Sequence, residues 1–247
     1  MPTLILTPRY TEDSQALWRA ASQLGWDVER LQTWRIPESL RSVGQPVLYV
    51  EALFGPTLAE DLGLALVEPP IDWLPNLPEP LRKRKITLTT LDEARKLTRP
   101  AFVKPPNDKS FPAKVYATGN DLPDDFDDDT PVLVSDIVHW ETEFRCFVLD
   151  GKPQAISIYL RDGELQREHN FAATPSELAQ ATEYIKQVIA DPNVSIGKTA
   201  VLDVGTIRDR GWAVIEQNAA WGAGIYGCDP VRVLSVLEHV ASSIKRA

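Results

Sequence analysis

The sequence predicts an α/β unit followed by an α+β unit, and three observations carry that expectation. Strand-like and helix-like patterns alternate over the first 75 residues. Prolines then crowd positions 69, 70, 75, 78 and 80. Beyond them, short strands bounded by turn signals dominate, which is the mark of mostly antiparallel pairing.

Taken in order, "TLILTPRY" reads as a short strand. "SQALWRAASQLGWDVERL" follows as a helix, with Leu17, Ala20, Ala21 and Leu24 at helical spacing. "PVLYVEALF" is a second apolar strand and "TLAEDLGLALVEPP" a second helix. The proline cluster can continue neither a helix nor a central strand, so the domain boundary falls there, with residues 1–78 on one side and 79–247 on the other. Thr90 and Glu93 form a capping box that opens a helix through "LDEARKL". "AFVK" and "KVYAT" are strands around the loop "PPNDKSFPA", and "DLPDDFDDDT" is an acidic loop. "VLVSDIV", "ETEFRCFVLD" and "KPQAISIYL" are strands, the last two joined by the hairpin signal Asp150-Gly151. Thr174-Pro175-Ser176-Glu177 combines an N-cap, a proline at the first helical position and a capping glutamate, opening a helix to about Ala190. "TAVLDVGTI" and "WAVIEQN" are strands around "RDRG", and Asp229-Pro230 caps a final helix, "VRVLSVLEHVASSIKR".

Composition narrows the function classes. The 26 basic and 35 acidic residues give a formal charge of −9, which argues against a sequence-independent hold on nucleic acid. No apolar stretch approaches the roughly 20 residues of a membrane span, and "MPTLILTPRY" lacks the features of a signal peptide. Cys146 and Cys228 are too few for a disulfide framework or a four-ligand zinc site. A reduced, cytoplasmic protein is the expectation. Oligomeric state cannot be read from the sequence.

Three polar features stand out. With "RDRG" as a hairpin loop, Ile207 faces Trp212, and counting outward places Asp203 opposite Glu216. Asp203, Glu216 and Asn218 then share one face. Facing carboxylates repel, so something offsets their charge: a divalent cation such as Mg²⁺, pairing with Arg208 or Arg210, or simple solvation of an edge hairpin. Next, Lys104 ends an apolar strand just before Pro-Pro, and Lys109 and Lys114 follow. These lysines suit either an anion site or an ordinary solvated hairpin, and the near absence of glycine excludes a P-loop. Finally, Glu143 and Arg145 alternate onto one face of "ETEFRCFVLDG", with Arg161 ending the next strand. They read as a surface ion pair or as a guanidinium fixed for a phosphoryl group. Trp140 and Trp221 flank the region, and Gly222, Gly224 and Gly227 would allow backbone approach to a ligand.

In this order the elements resemble the ATP-grasp superfamily, and "FVKPPNDKSF", "ETEFRCFVLDG" and "VIEQNAAWGAGIYG" resemble more closely a clade of it named for two arginines and a lysine. The likeness covers about residues 80–247. It implies an ATP-grasp domain with subdomains 79–132 and 133–247, preceded by a small α/β domain. It implies that Lys104 holds nucleotide phosphates, that Ser135, Asp136, Ile137 and Val138 line the adenine, and that Glu143 binds the ribose. Asp203, Glu216 and Asn218 would ligate Mg²⁺. Arg145, with Arg161 and Lys109, would be the clade's catalytic residues. The implied chemistry is attack of a substrate carboxylate on the γ-phosphate of ATP, then displacement of phosphate by an amine, on an amino acid, peptide or protein terminus. A Mg-ATP-binding non-ligase and a small-molecule kinase are the alternatives. One departure is visible: the loop after Lys104 carries prolines where many relatives carry glycines.

Overall fold

The computed structural model describes residues 1–244. Strands β1 (Thr3–Leu6), β2 (Asp27–Arg30) and β3 (Pro46–Tyr49) form a parallel sheet in the order β2-β1-β3. Helix α1 (Glu12–Gln23) joins β1 to β2, opened by reciprocal bonds between Thr11 and Ser14. The single helix expected over "SQALWRAASQLGWDVERL" instead stops at Gly25, whose φ of 75° turns the chain, and "DVER" pairs with β1. Only Val28 of that edge strand is apolar, so no hydrophobic period announces it. Likewise α2 (Gly55–Asp61) ends at Gly63, and β4 (Leu64–Leu66) follows where helix was expected.

The proline cluster contains two short helical turns, α3 (Trp73–Asn76) and α4 (Glu79–Arg82), the second with proline in its first turn, where a missing N–H costs nothing. A four-stranded antiparallel sheet comes next, in the order β5-β8-β6-β7: β5 (Ile86–Thr90), β6 (Ala101–Lys104), β7 (Lys114–Tyr116) and β8 (Pro131–Ser135). Helix α5 (Leu91–Arg95) follows β5, its first turn held by Thr90 accepting from the Glu93 amide.

The second sheet has five antiparallel strands, β9 (Trp140–Leu149), β10 (Lys152–Arg161), β11 (Glu164–Leu165), β12 (Thr199–Ile207) and β13 (Gly211–Asn218), ordered β11-β10-β9-β12-β13. Asp150 and Gly151 both have positive φ, 47° and 68°, as the two-residue β9–β10 turn requires. Helix α6 (Pro175–Ala190) begins with the expected Thr174/Glu177 box.

Helix α7 (Pro230–Leu237) is shorter than its sequence suggested. The chain after it forms β14 (Ala241–Ser243), antiparallel to β4, because the open edge of β4 offers backbone partners that the serines accept more readily than another helical turn. Val233, Leu234 and Val236 of α7 share one apolar core with Leu4, Ile5 and Leu48 of the parallel sheet and with Phe147 and Val201 of the five-stranded sheet. Trp221 belongs to this core rather than to a ligand wall. It is 2% exposed, its indole N–H donates to the Val67 carbonyl, and its ring lies where a Cβ on Gly55 would come within 2.2 Å.

Candidate active site

The β12–β13 hairpin sets the geometry. Near its turn Thr206 faces Trp212 and Ile207 faces Gly211, one step from the register expected. Continued unchanged, that pairing would set Asp203 against Ile215 and turn Glu216 to the opposite face. A β-bulge intervenes: Val204 pairs with Val214 and Asp203 with Glu216, so Ile215 is the extra residue. Asp203, Glu216 and Asn218 therefore do lie together.

Arg145 on β9 is the register partner of Asp203, so Arg145, Asp203 and Glu216 form a row across three strands. The Arg145 guanidinium grips Asp203 with two prongs, Nε to Oδ1 at 2.9 Å and Nη2 to Oδ2 at 2.6 Å. Its Nη1 donates to the Gly224 carbonyl at 2.9 Å. Three of the five guanidinium N–H donors are thus used and two remain. Burial works against the Arg145 charge, yet the charge and hydrogen bonds of Asp203 outweigh it and push the guanidinium pKa above its usual value. On the other side of the row, Lys104 at the end of β6 donates to Glu216 Oε2. Burial tends to raise the Glu216 carboxyl, but Lys104, with a further hydrogen bond from Asn218, holds it down at about 2. Two cations therefore relieve the carboxylate repulsion. Neither is Arg208 or Arg210, which face Glu141 at 3.7 Å and the Lys83 carbonyl at 2.8 Å.

Asn218 donates its amide nitrogen to Asp203 Oδ2 at 3.2 Å and to Glu216 Oε1 at 2.9 Å. Its amide oxygen is left for a ligand. Among the described residues no group of three or more His, Cys, Asp or Glu side chains is placed to hold a metal. The donor set here is two carboxylates and an amide, oxygen ligands of the kind a hard cation such as Mg²⁺ takes.

Between the two large sheets lies a cavity of about 290 Å³, lined by Lys104, Glu143, Glu216 and the connecting segment Ser135, Asp136, Ile137 and Val138. Asp136 accepts from the Lys85 amide at 2.9 Å, which ties this connection to the start of β5. Burial lifts the Glu143 carboxyl to about 7, although the Tyr159 hydroxyl donates to it at 2.8 Å. Lys104, Ser135–Val138, Glu143, Arg145, Asp203, Glu216 and Asn218 are thus gathered at one place.

Arg161 and Lys109 are not brought there. Arg161 forms two bonds with Glu177, at 2.7 and 2.9 Å, and so fastens the start of α6 to the end of β10. Lys109 is exposed in the loop after β6. That loop is secured by Phe111, 4% exposed, and by Asn107, whose amide donates to the Pro69 carbonyl at 2.7 Å. Gly224 and Gly227 admit side chains rather than a ligand: Asp13 and Arg145 approach the first, Phe171 and Ser157 the second.

Sequence reasoning missed Arg84 and Tyr159, both of which line the cavity. Arg84 is 8% exposed, with its guanidinium 5.0 Å from the Trp140 ring centroid. Tyr159 stacks on Tyr226 at 5.1 Å beside the Arg145 guanidinium. The tyrosine carried a weak signal, lying two positions before Arg161 on a strand beside β9. Arg84 carried none.

Two antiparallel sheets closing on a cavity, with a strand-end lysine on one and the Asp/Glu-x-Asn set on the other, define an ATP-grasp domain. The chain belongs to this family: the sequence model for the ATP-grasp domain of the two-arginine, one-lysine clade, family 2, matches residues 81–236. No curated protein sequence matches the chain. Among solved structures it is similar to D-alanine–D-alanine ligase from Bacillus anthracis (14% identity, 97% of each chain, TM-score 0.55). It is also similar to D-cycloserine synthetase DcsG (12% identity, 96% of this chain and 99% of that one, TM-score 0.56). A third likeness is to a RimK domain ATP-grasp protein from Sphaerobacter thermophilus (14% identity, 96% and 98%, TM-score 0.51). At these identities the likenesses speak for the fold. Among the described residues no helix is long and apolar enough to cross a membrane.

Proposed function

We propose that this chain is an ATP- and Mg²⁺-dependent carboxylate–amine ligase acting through an acylphosphate. The observation that carries the reading is the convergence of Lys104, Glu216, Asn218 and the Arg145–Asp203 pair beside a cavity lined by Glu143 and the 135–138 segment. The connecting segment offers backbone groups to an adenine, and Glu143 offers a carboxylate to ribose hydroxyls. Lys104 lies within reach of phosphate oxygens, exchanging one anionic partner for another. Glu216 and Asn218 would hold Mg²⁺, which neutralises phosphate charge when bound. Asp203, fully buried and gripped by Arg145, contributes its charge to the same place.

In the reaction, a substrate carboxylate oxygen attacks the γ-phosphorus of ATP as the bond to the β-phosphate oxygen breaks, releasing ADP. The two free N–H groups of Arg145 are aimed to steady the transferred phosphoryl group or the acylphosphate. An amine nitrogen then attacks the acyl carbon, phosphate departs, and the amine loses its proton. The protein's share is positioning and charge compensation. The substrate is an amino acid, peptide or protein terminus, with an amine as the second partner.

ADP release, followed against a panel of amino acids and peptides, tests the reading. Wild-type protein is expected to release ADP with at least one carboxylate–amine pair, and Glu216→Ala to release none while remaining folded. A stable phosphorylated product would mark a kinase instead. Saturable Mg-ATP binding without turnover would mark a sensor.

A further inference from the structure

We propose that Arg84 is a positioning residue for the metal-binding face of β13: its guanidinium holds the bulge at Ile215 and so keeps Glu216 and Asn218 turned toward Asp203. The inference rests on the reading of Glu216 and Asn218 as metal ligands. At a bulge, two residues of one strand oppose a single residue of the other, so the local ladder is broken and backbone groups need partners elsewhere. Arg84 supplies them. Its Nη1 donates to the Val214 carbonyl at 2.7 Å and its Nη2 to the Ile215 carbonyl at 2.8 Å, one prong on each side of the bulged peptide. The same guanidinium is fixed by the Arg82 carbonyl at 3.0 Å and lies near the Trp140 ring.

The bulge decides which face the ligands occupy. Near the turn the pairs Ile207–Gly211 and Thr206–Trp212 both sum to 418, whereas Asp203–Glu216 and Val201–Asn218 sum to 419. The one-residue slip happens at Ile215, and without it Glu216 and Asn218 would exchange faces with Ile215 and Gln217. A planar fork spans two successive carbonyls, and a lysine ammonium, which acts as a point charge, does not reproduce that geometry. Arg84 comes from the segment leading into the four-stranded sheet, so the same contact ties the two halves of the cavity together.

Because Arg84 also lines the cavity, direct contact with nucleotide is the competing reading, and metal dependence separates the two. Binding of a nonhydrolysable ATP analogue to the full chain is measured with Mn²⁺ and with a chelator, alongside hydrogen exchange of the β13 amides. Wild type is expected to bind more tightly with Mn²⁺; an equal affinity would overturn the metal reading itself. Arg84→Lys is expected to keep the metal-free affinity within about twofold, to lose about tenfold or more of the Mn²⁺ enhancement, and to speed exchange at residues 215–218. An unchanged enhancement, or an equal fall in both affinities, would overturn the role given to Arg84. Deleting Ile215 from Arg84→Lys removes the need for a bulge while leaving Glu216 opposite Asp203. That doubly altered chain is expected to regain the enhancement, also where Arg84→Lys alone fails to fold. Its failure to do so counts against the proposal.

Discussion

Lys104 and Glu216 form a direct ion pair that bridges the four-stranded and five-stranded sheets beside the cavity. Their side chains are 16% and 25% exposed, so the pair is only partly screened. Lys104→Met leaves the Glu216 carboxylate without its cation and is expected to cost about 1–3 kcal/mol, less than a fully buried pair would. Adding Glu216→Gln removes the stranded charge and should recover part of that loss. Urea unfolding of the two single variants and the double checks the coupling; strict additivity would contradict the pairing.

Glu143 should make stability depend on pH. Burial raises its carboxyl from 4.5 to about 7, so the folded state favours the protonated form. The resulting penalty is absent below 4.5, grows between 4.5 and about 7, and is constant above. Glu143→Gln cannot ionise. It should exceed wild type in stability at pH 8 by about 1–3 kcal/mol, with the gap shrinking toward pH 5. Unfolding curves at both values test the sign, and a variant less stable at pH 8 would reverse the argument.

Arg161 is expected to act on stability. Its two bonds to Glu177 fasten the capping box of α6 and hold that carboxyl down at about 2. The stabilisation is therefore present at neutral pH and lost as the pH falls through 4.5 toward 2. Arg161→Ala should cost about 1 kcal/mol, a melting shift of about 2–4 °C, with nucleotide affinity unchanged. A large loss of affinity at unchanged melting temperature would return Arg161 to the active site.

The two domains should melt together. Trp221 lies against Gly55, where an added Cβ would sit 2.2 Å from the ring, and the ring is enclosed. Gly55→Ala should destabilise the whole chain by about 1–3 kcal/mol, as overpacking does. Calorimetry is expected to show one transition at a lower temperature. Two separated transitions would mean that the shared core does not couple the domains.

Much of this was legible in the sequence, for local reasons. Asp150-Gly151 and the Thr174–Glu177 box are chemistry that one short segment dictates. The opposition of Asp203 and Glu216 was also foreseen, but through two cancelling displacements: the turn shifts the register by one residue and the bulge at Ile215 shifts it back. Hairpin counting cannot see a bulge held from another part of the chain. Arg84 stayed hidden for the same reason, since within "LRKRK" nothing distinguishes a buried fork from a solvated charge. The strand "DVER" and the return strand β14 owe their conformation to an available sheet edge, which is a tertiary fact.

The central claim is that Glu216 and Asn218 carry a divalent ion to which a triphosphate is bound. A crystal soaked with Mn²⁺ and a nonhydrolysable ATP analogue, with data collected for anomalous scattering, tests it most directly. The expected result is a peak within about 2.0–2.3 Å of a Glu216 carboxylate oxygen and the Asn218 amide oxygen, with Lys104 drawn from Glu216 onto phosphate. A nucleotide seated in the cavity with Lys104 still paired to Glu216 and the manganese elsewhere would contradict the account.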